Sequence, residues 1–247
     1  MEQDMNQYQQ RFNLIMSDPL NAMIPRVAGA GDCTDGIITM HNGLKVYDQS
    51  YYQSFSDILK LNGGVHEPSE EYVFGKIIER YRGKSPVMVE LGSYWAFYSM
   101  WMKQVAPEAQ TICIDVDPEC LQIGVKHYEL NGFADSFFNG GTFIHHRIGS
   151  SGIPVQGRID LLHCDIQGDE VEMLRSEAGR FNRSMIDYVF LSTHTMTKHN
   201  QCTDLLIQYD YHIIAEVDPA HTFCEDGIIV ASSPLIEPVR FELPKRK

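Results

Sequence analysis

The spacing of apolar residues changes along the chain, and the changes mark out elements. From residue 68 onward, short apolar runs alternate with stretches in which apolar residues recur every three or four positions. PSEEYVFGKIIERY carries apolar residues at 73, 74, 77, 78 and 81, which is helical spacing. PVMVELG (86–92) is a short apolar run closing on an acid and a glycine, and it predicts a first strand followed by a helix over AFYSMWMKQV. TICIDVD (111–117) predicts the second strand. Asp117-Pro118-Glu119 then opens a helix, with an N-cap aspartate, a proline at the first helical position and an acid in the first turn. Asn131-Gly132 closes it. GTFIHHRI (141–148), RIDLLHCDI (158–166) and MIDYVFLST (185–193) predict three further strands. A helix with Val171, Leu174, Ala178 and Phe181 on one face stands between the last two, and another covers 198–208.

Alternating strands and helices imply parallel strands joined by right-handed crossovers. The strands are apolar nearly throughout, as expected where both sheet faces are covered. The end of the chain breaks the pattern. YHIIAEVD (211–218) and GIIVASS (227–233) face each other with no helical period between them, an antiparallel finish. A nicotinamide-binding fold would continue with crossover helices, so the reversal favours the methyltransferase form of a Rossmann-like sheet. The predicted fold is therefore α/β: a class I methyltransferase sheet, mostly parallel, with an antiparallel C-terminal strand and an N-terminal extension. Residues 1–65 read as that extension, with a helix near 5–17 and a hairpin in GIITMHNGLKVYD (36–48) around Asn42-Gly43. They are expected to serve as a lid or a dimer element beside a cofactor-binding domain over 66–247.

Composition narrows the partners. The chain has 247 residues, 43% hydrophobic and 21% charged, enough for one large domain with embellishments. Its formal net charge of -13 repels phosphate backbones and argues against nucleic acid. The basic run Lys245-Arg246-Lys247 reads as a solvated end. None of the six cysteines pair as C-x-x-C, which removes support for zinc-ribbon and thioredoxin readings. MEQDMNQYQQRF lacks the basic-then-apolar order of a signal peptide, and no run of 18 apolar residues occurs. The expectation is a protein of the reducing cytoplasm, without membrane contact.

In an open parallel sheet, ligands bind at the carboxyl ends of the strands. The first strand ends Glu90-Leu91-Gly92-Ser93. A glycine here permits close backbone approach, the following helix offers N–H groups to a carboxylate, and Glu90 suits an ammonium. A zwitterionic amino-acid tail fits both, whereas a pyrophosphate would not favour Glu90. The full G-x-G-x-x-G is absent. The second strand ends at Asp115, 23 residues after Gly92, near the spacing of an acid that binds ribose hydroxyls. The fourth ends His163-Cys164-Asp165-Ile166-Gln167-Gly168-Asp169-Glu170. Asp169 and Glu170 are explained by a helix N-terminus, where acids are stabilised. Asp165 is not, and suggests a ligand ammonium, a metal or a general base. The fifth strand runs into His194, which would lie beside Asp165 if the two strands are neighbours. His194 could abstract a hydroxyl proton, or join Asp165 in holding a divalent cation such as Mg2+.

ELGSYWAFYSMW (90–101), NGGVHEPSEE (62–71) and HCDIQGDEVEML (163–174) together resemble the FkbM family of S-adenosylmethionine-dependent methyltransferases. The similarity covers roughly residues 55–232. Relatives often have a final glycine in the first-strand motif where this chain has Ala96, a methyl group that could crowd the cofactor tail. The resemblance implies cofactor contacts from Glu90, Gly92, Ser93 and Asp115, with their neighbours Tyr94 and Val116, and from Gly149 near the adenine. Asp165, Gln167 and Glu170, in a segment matching the family's Asp-x-x-Gly-x-Glu, would sit near the methyl group. His66-Glu67-Pro68 would fold over the pocket. The expected reaction is O-methylation of a small molecule such as a sugar or natural product, with His194 and Asp165 handling the proton. A Mg2+-dependent variant, a nicotinamide oxidoreductase and a non-catalytic binding protein are the alternatives. A homodimer is compatible with the sequence.

Overall fold

The computed structural model describes residues 2–51, 53–133, 141–146 and 152–247. The chain begins with helix α1 (Glu2–Ser17). Three short strands follow: β1 (Cys33–Thr34), β2 (Ile37–Thr39) and β3 (Lys45–Tyr47), paired antiparallel in that order. β2 and β3 are the predicted hairpin about Asn42-Gly43, with Gly43 at φ 92°. A short helix α2 (Asp57–Leu61) leads to α3 (Pro68–Ile78), which starts with proline in its first turn. The rest alternates as predicted: β4 (Val87–Leu91), α4 (Phe97–Val105), β5 (Gln110–Asp115), α5 (Pro118–Leu130), β6 (Thr142–His145) and β7 (Ile159–Cys164). Next come α6 (Glu170–Ser176), α7 (Ala178–Phe181), β8 (Ile186–Thr193), α8 (Met196–Gln208), β9 (His212–Val217) and β10 (Gly227–Ser232). Asp117 caps α5 through its side chain, which accepts from Glu119 N at 2.8 Å.

The main sheet has seven strands in the order β6-β5-β4-β7-β8-β10-β9. β4 pairs parallel with β5 and β7, and β7 with β8. β10 runs antiparallel to both β8 and β9. This is the Rossmann-like methyltransferase sheet, mostly parallel with one reversed strand. Side chains alternate across it with period two. Met88, Leu161, Tyr188 and Phe190 join the core under α3 and α4, while Val89, Leu162, Val189 and Leu191 join the core under α6 and α8.

The first 65 residues pack into the former core. Phe12, Ile15, Met40, Val46 and Phe55 are buried in one cluster with Phe74 and Trp101. His127 of α5 ties the hairpin down: Tyr47 N donates to its Nε2 at 3.1 Å, and its Nδ1 meets the Trp95 carbonyl at 3.1 Å. That pairing requires a neutral ring, and burial lowers its pKa to about 4. No cysteine among the described residues is in a disulfide, and no helix there is long and apolar enough to cross a membrane.

Candidate active site

The carboxyl ends of β4, β5, β7 and β8 open on one cavity of about 700 Å3. Glu90, Gly92, Ser93, Tyr94, Asp115 and Val116 line it from the β4 and β5 side. Asp165, Gln167 and His194 line it from the β7 and β8 side. Gly149 lies outside the described residues. Glu170, expected near the methyl group, does not line the cavity: it is fully buried and reaches His194 from behind.

The turn after β4 is tightly built. Gly92 has φ 68°, and a β-carbon on it would meet the Asp165 carbonyl oxygen at 1.7 Å. Glycine is needed here for the crossing of two backbone segments. Gly92 N and Ser93 N both donate to the Ile114 carbonyl, at 2.8 and 3.1 Å. Tyr94 and Ala96 also take left-handed φ values, 44° and 61°. The Ala96 methyl is fully buried and outside the cavity lining, so it does not crowd a ligand. The expectation of crowding at that position is corrected by the direction the turn takes.

Two acids at this end are held by the backbone. Asp115 accepts from Tyr94 N at 2.9 Å and from Asp117 N at 2.8 Å, one on each oxygen. A carboxylate offers about four lone-pair positions, so ribose hydroxyls can still be accommodated. Glu90 accepts from Ser99 N at 2.9 Å. It thereby occupies part of the α4 start that was expected to face a cofactor carboxylate. Burial raises its pKa, opposed by nearby His163 and by the hydrogen bond from Ser99. Ser93 is buried, lines the cavity, and its hydroxyl has no partner among the described residues. An orphaned hydroxyl beside two acids fits a nucleoside with an amino-acid tail.

At the other end, His194 is surrounded by acids. Its Nδ1 lies 3.0 Å from Glu170 Oε1, and its Nε2 lies 3.2 Å from Asp165 Oδ1 and 3.4 Å from Asp226 Oδ1. Glu170 is fully buried and also accepts from Gly168 N at 2.8 Å. Burial disfavours a charged ring, but the three carboxylates outweigh it and push the imidazole up to about 10. Asp226 is raised by burial to about 6, with His194 opposing. Both ring nitrogens face carboxylate oxygens, so both carry protons at neutral pH.

Ligand atoms of Asp165, His194 and Asp226 lie within 4.8 Å of one another. The set mixes one imidazole nitrogen with two carboxylate oxygens, whereas Mg2+ takes oxygen donors in octahedral geometry and suits this set poorly. The imidazolium itself supplies a cation between the aspartates.

A third group was only partly legible. His66 and Glu67 do line the cavity, with Glu70 and Glu71 behind them on α3. Glu71 Oε1 accepts from His66 N at 2.8 Å and Glu67 N at 2.9 Å. The Glu71 carboxylate is also clamped by His41 at 2.9 Å and His66 at 2.7 Å. Burial works against its charge, but the two histidines hold its pKa well below the usual range. Glu70 pairs with His163 Nε2 at 2.8 Å and accepts from Ser192 Oγ at 3.2 Å. Burial opposes the His163 charge, yet Glu70 raises that ring to about 9. Glu67, Glu70 and Glu71 share one helix face, the i, i+3, i+4 relation, in line with buried Phe74. That alignment was the available signal, and it reads equally well as an acidic helix start.

No protein-family model matches the chain, and no curated protein matches it in sequence. Solved structures do match in fold. Ribosomal protein L11 methylase from Lactobacillus delbrueckii subsp. bulgaricus is 14% identical with a TM-score of 0.50, covering 69% of this chain and 81% of its own. Precorrin-6y C5,15-methyltransferase from Geobacter metallireducens GS-15 is 15% identical with a TM-score of 0.49, covering 68% and 90%. TrmK from M. capricolum, bound to S-adenosyl-homocysteine, is 12% identical with a TM-score of 0.46, covering 69% and 70%. At this identity the likeness to the L11 methylase shows a shared fold.

Proposed function

We propose that the protein is an S-adenosylmethionine-dependent methyltransferase acting on a hydroxyl of a small molecule, such as a sugar or natural product. The observation that carries this reading is the placement of Glu90 and Asp115 on adjacent strand ends in a cavity of about 700 Å3. That volume is in the range that holds a cofactor-sized ligand. The sequence resemblance to the FkbM family supports the same cofactor and a hydroxyl acceptor. The acidic surface, net charge -13, weighs against the tRNA or other nucleic-acid acceptors that such a fold can also serve.

When bound, the cofactor supplies a methyl group already activated on a sulfonium. The chain's residues then have three tasks: hold the cofactor, align the acceptor, and remove one proton. Asp115 would take the ribose hydroxyls, Glu90 the ammonium, and the unpartnered Ser93 hydroxyl a further polar group. Asp165 and Gln167 would border the methyl group. His194, fixed by Glu170, Asp165 and Asp226, would hold the acceptor oxygen by an N–H donor or shape the wall beside it.

Calorimetry with S-adenosylhomocysteine tests the cofactor, with Asp115→Ala as the control expected to lose affinity. A panel of catechol, monosaccharides and simple amines tests the acceptor. Methylation confined to the amines would overturn the hydroxyl reading. Tight binding of NAD with none of S-adenosylhomocysteine would overturn the whole.

A further inference from the structure

We propose that Glu67 is the general base of the site, the group that receives the acceptor's proton. This rests on the methyl-transfer reading above and names the residue that reading lacks. His194 is the obvious candidate by residue type, but its Nδ1 pairs with Glu170 at 3.0 Å and its Nε2, with no well-aligned hydrogen bond, faces Asp165 and Asp226 at 3.2 and 3.4 Å, a setting that favours the protonated ring. A base needs a free lone pair directed at the reacting hydroxyl, and a ring kept protonated by three carboxylates has none to offer.

Glu67 has what His194 lacks. It stands at the N-cap of α3, where a side chain normally turns back to cap the helix. Its side chain makes no cap hydrogen bond. It lines the cavity instead, with about one-fifth of its side chain exposed, 19%. Glu71 Oε1 takes the N–H groups of His66 and Glu67, just ahead of the helix. The His41–Glu71–His66 clamp thus holds the backbone of residue 67 rigid while leaving its carboxyl group free of the helix. That backbone division of labour is costly to bury, with three titratable groups at 2% exposure or less. It is accounted for if the carboxyl of Glu67 must be aimed.

One oxygen, Oε2, accepts from the Tyr98 hydroxyl at 2.8 Å and faces His66 Nε2 at 3.5 Å. The charged and titratable groups around it are His66 and Glu70 from its own segment, Tyr98 from α4, Asp165 after β7, Arg11 from α1 and Cys224 from the β9–β10 loop. Burial raises the carboxyl, His66 opposes, Glu70 and Asp165 add to the rise, and the result is about 7. A carboxylate tuned to that range is suited to accept a proton at neutral pH, since base strength and the ionised fraction are balanced there.

The step balances. The acceptor oxygen bonds to the methyl carbon as the carbon–sulfur bond breaks, and that electron pair stays on sulfur. The hydroxyl proton passes to a Glu67 carboxyl oxygen and leaves to solvent after product release. No oxidant or further reactant is needed.

The test compares wild type, Glu67→Gln and Tyr98→Phe. Single-turnover methyl transfer to the hydroxyl acceptor found in the panel should fall ~10²–10⁴-fold in Glu67→Gln. S-adenosylhomocysteine affinity by calorimetry should stay near wild type. The wild-type rate should rise with pH through about 7. Tyr98→Phe removes a donor to the ionised form and should move that limb to higher pH. Independently of any acceptor, the difference infrared spectrum of wild type minus Glu67→Gln should contain a carboxyl band that titrates near the same pH. A Glu67→Gln protein that binds cofactor and keeps its rate and its pH limb overturns this assignment alone. A wild-type chain that binds no S-adenosylhomocysteine, or methylates no hydroxyl, overturns the reading beneath it as well.

Discussion

The carbonyl oxygen of Asp165 lies 1.7 Å from the point where a β-carbon on Gly92 would stand. The segments that leave the neighbouring strands β4 and β7 meet at this point with no room for a side chain. Gly92→Ala would add a methyl group against rigid backbone at φ 68°. Strain and forced displacement should cost about 3 kcal/mol or more. Urea denaturation checks this, and a loss under about 1 kcal/mol would show that the two segments can part.

Asp115 does two things at once, tying Tyr94 N and Asp117 N and facing the cavity. Asp115→Asn keeps one oxygen acceptor and removes the charge. Loss of charge-assisted hydrogen bonds should weaken S-adenosylhomocysteine binding by roughly 10–100-fold. Calorimetry measures it directly. Unchanged affinity would remove Asp115 from the cofactor site.

The ring of His194 carries a charge that stabilises the folded chain over a defined pH range. Its folded value is raised from 6.5 to about 10, so the contribution is complete below the ordinary value and is lost as pH rises through about 10. Wild-type urea midpoints should therefore fall across that window. In His194→Gln the fall should be shallower. Parallel curves for the two proteins would show that the ring is neutral in the folded state.

With an imidazolium between Asp165 and Asp226, no divalent ion is required to balance their charge. Exhaustive chelation should leave methyl transfer and thermal midpoint unchanged. Activity that vanishes with chelator and returns with Mg2+ would show that a metal displaces the ring proton.

The succession of strands along the chain was readable because each parallel strand is an apolar run ending in a polar residue, as at Glu90, Asp115 and Asp165. The end of β8 was readable for the same reason, and His194 falls beside Asp165 as expected. Asp226 was not anticipated. It reaches the site because β10 runs backwards, which sets Gly227 opposite Thr193 and brings the start of that strand to the carboxyl edge. Glu67, Glu70 and Glu71 were visible as acids, but their burial was not. A helix start favours exposed acids, and only neighbouring His66 together with His41 and His163, supplied by two distant parts of the chain, makes burial tolerable. The protonation of His194 was hidden likewise, since it depends on three carboxylates that converge only in space.

Arg11 of α1 reaches across the cavity rim to Glu225, at 2.7 Å, while stacking over Phe55 at 4.2 Å. The rim therefore joins residues more than two hundred positions apart. Enclosure of a ligand by the complete rim accordingly needs both segments folded onto the sheet.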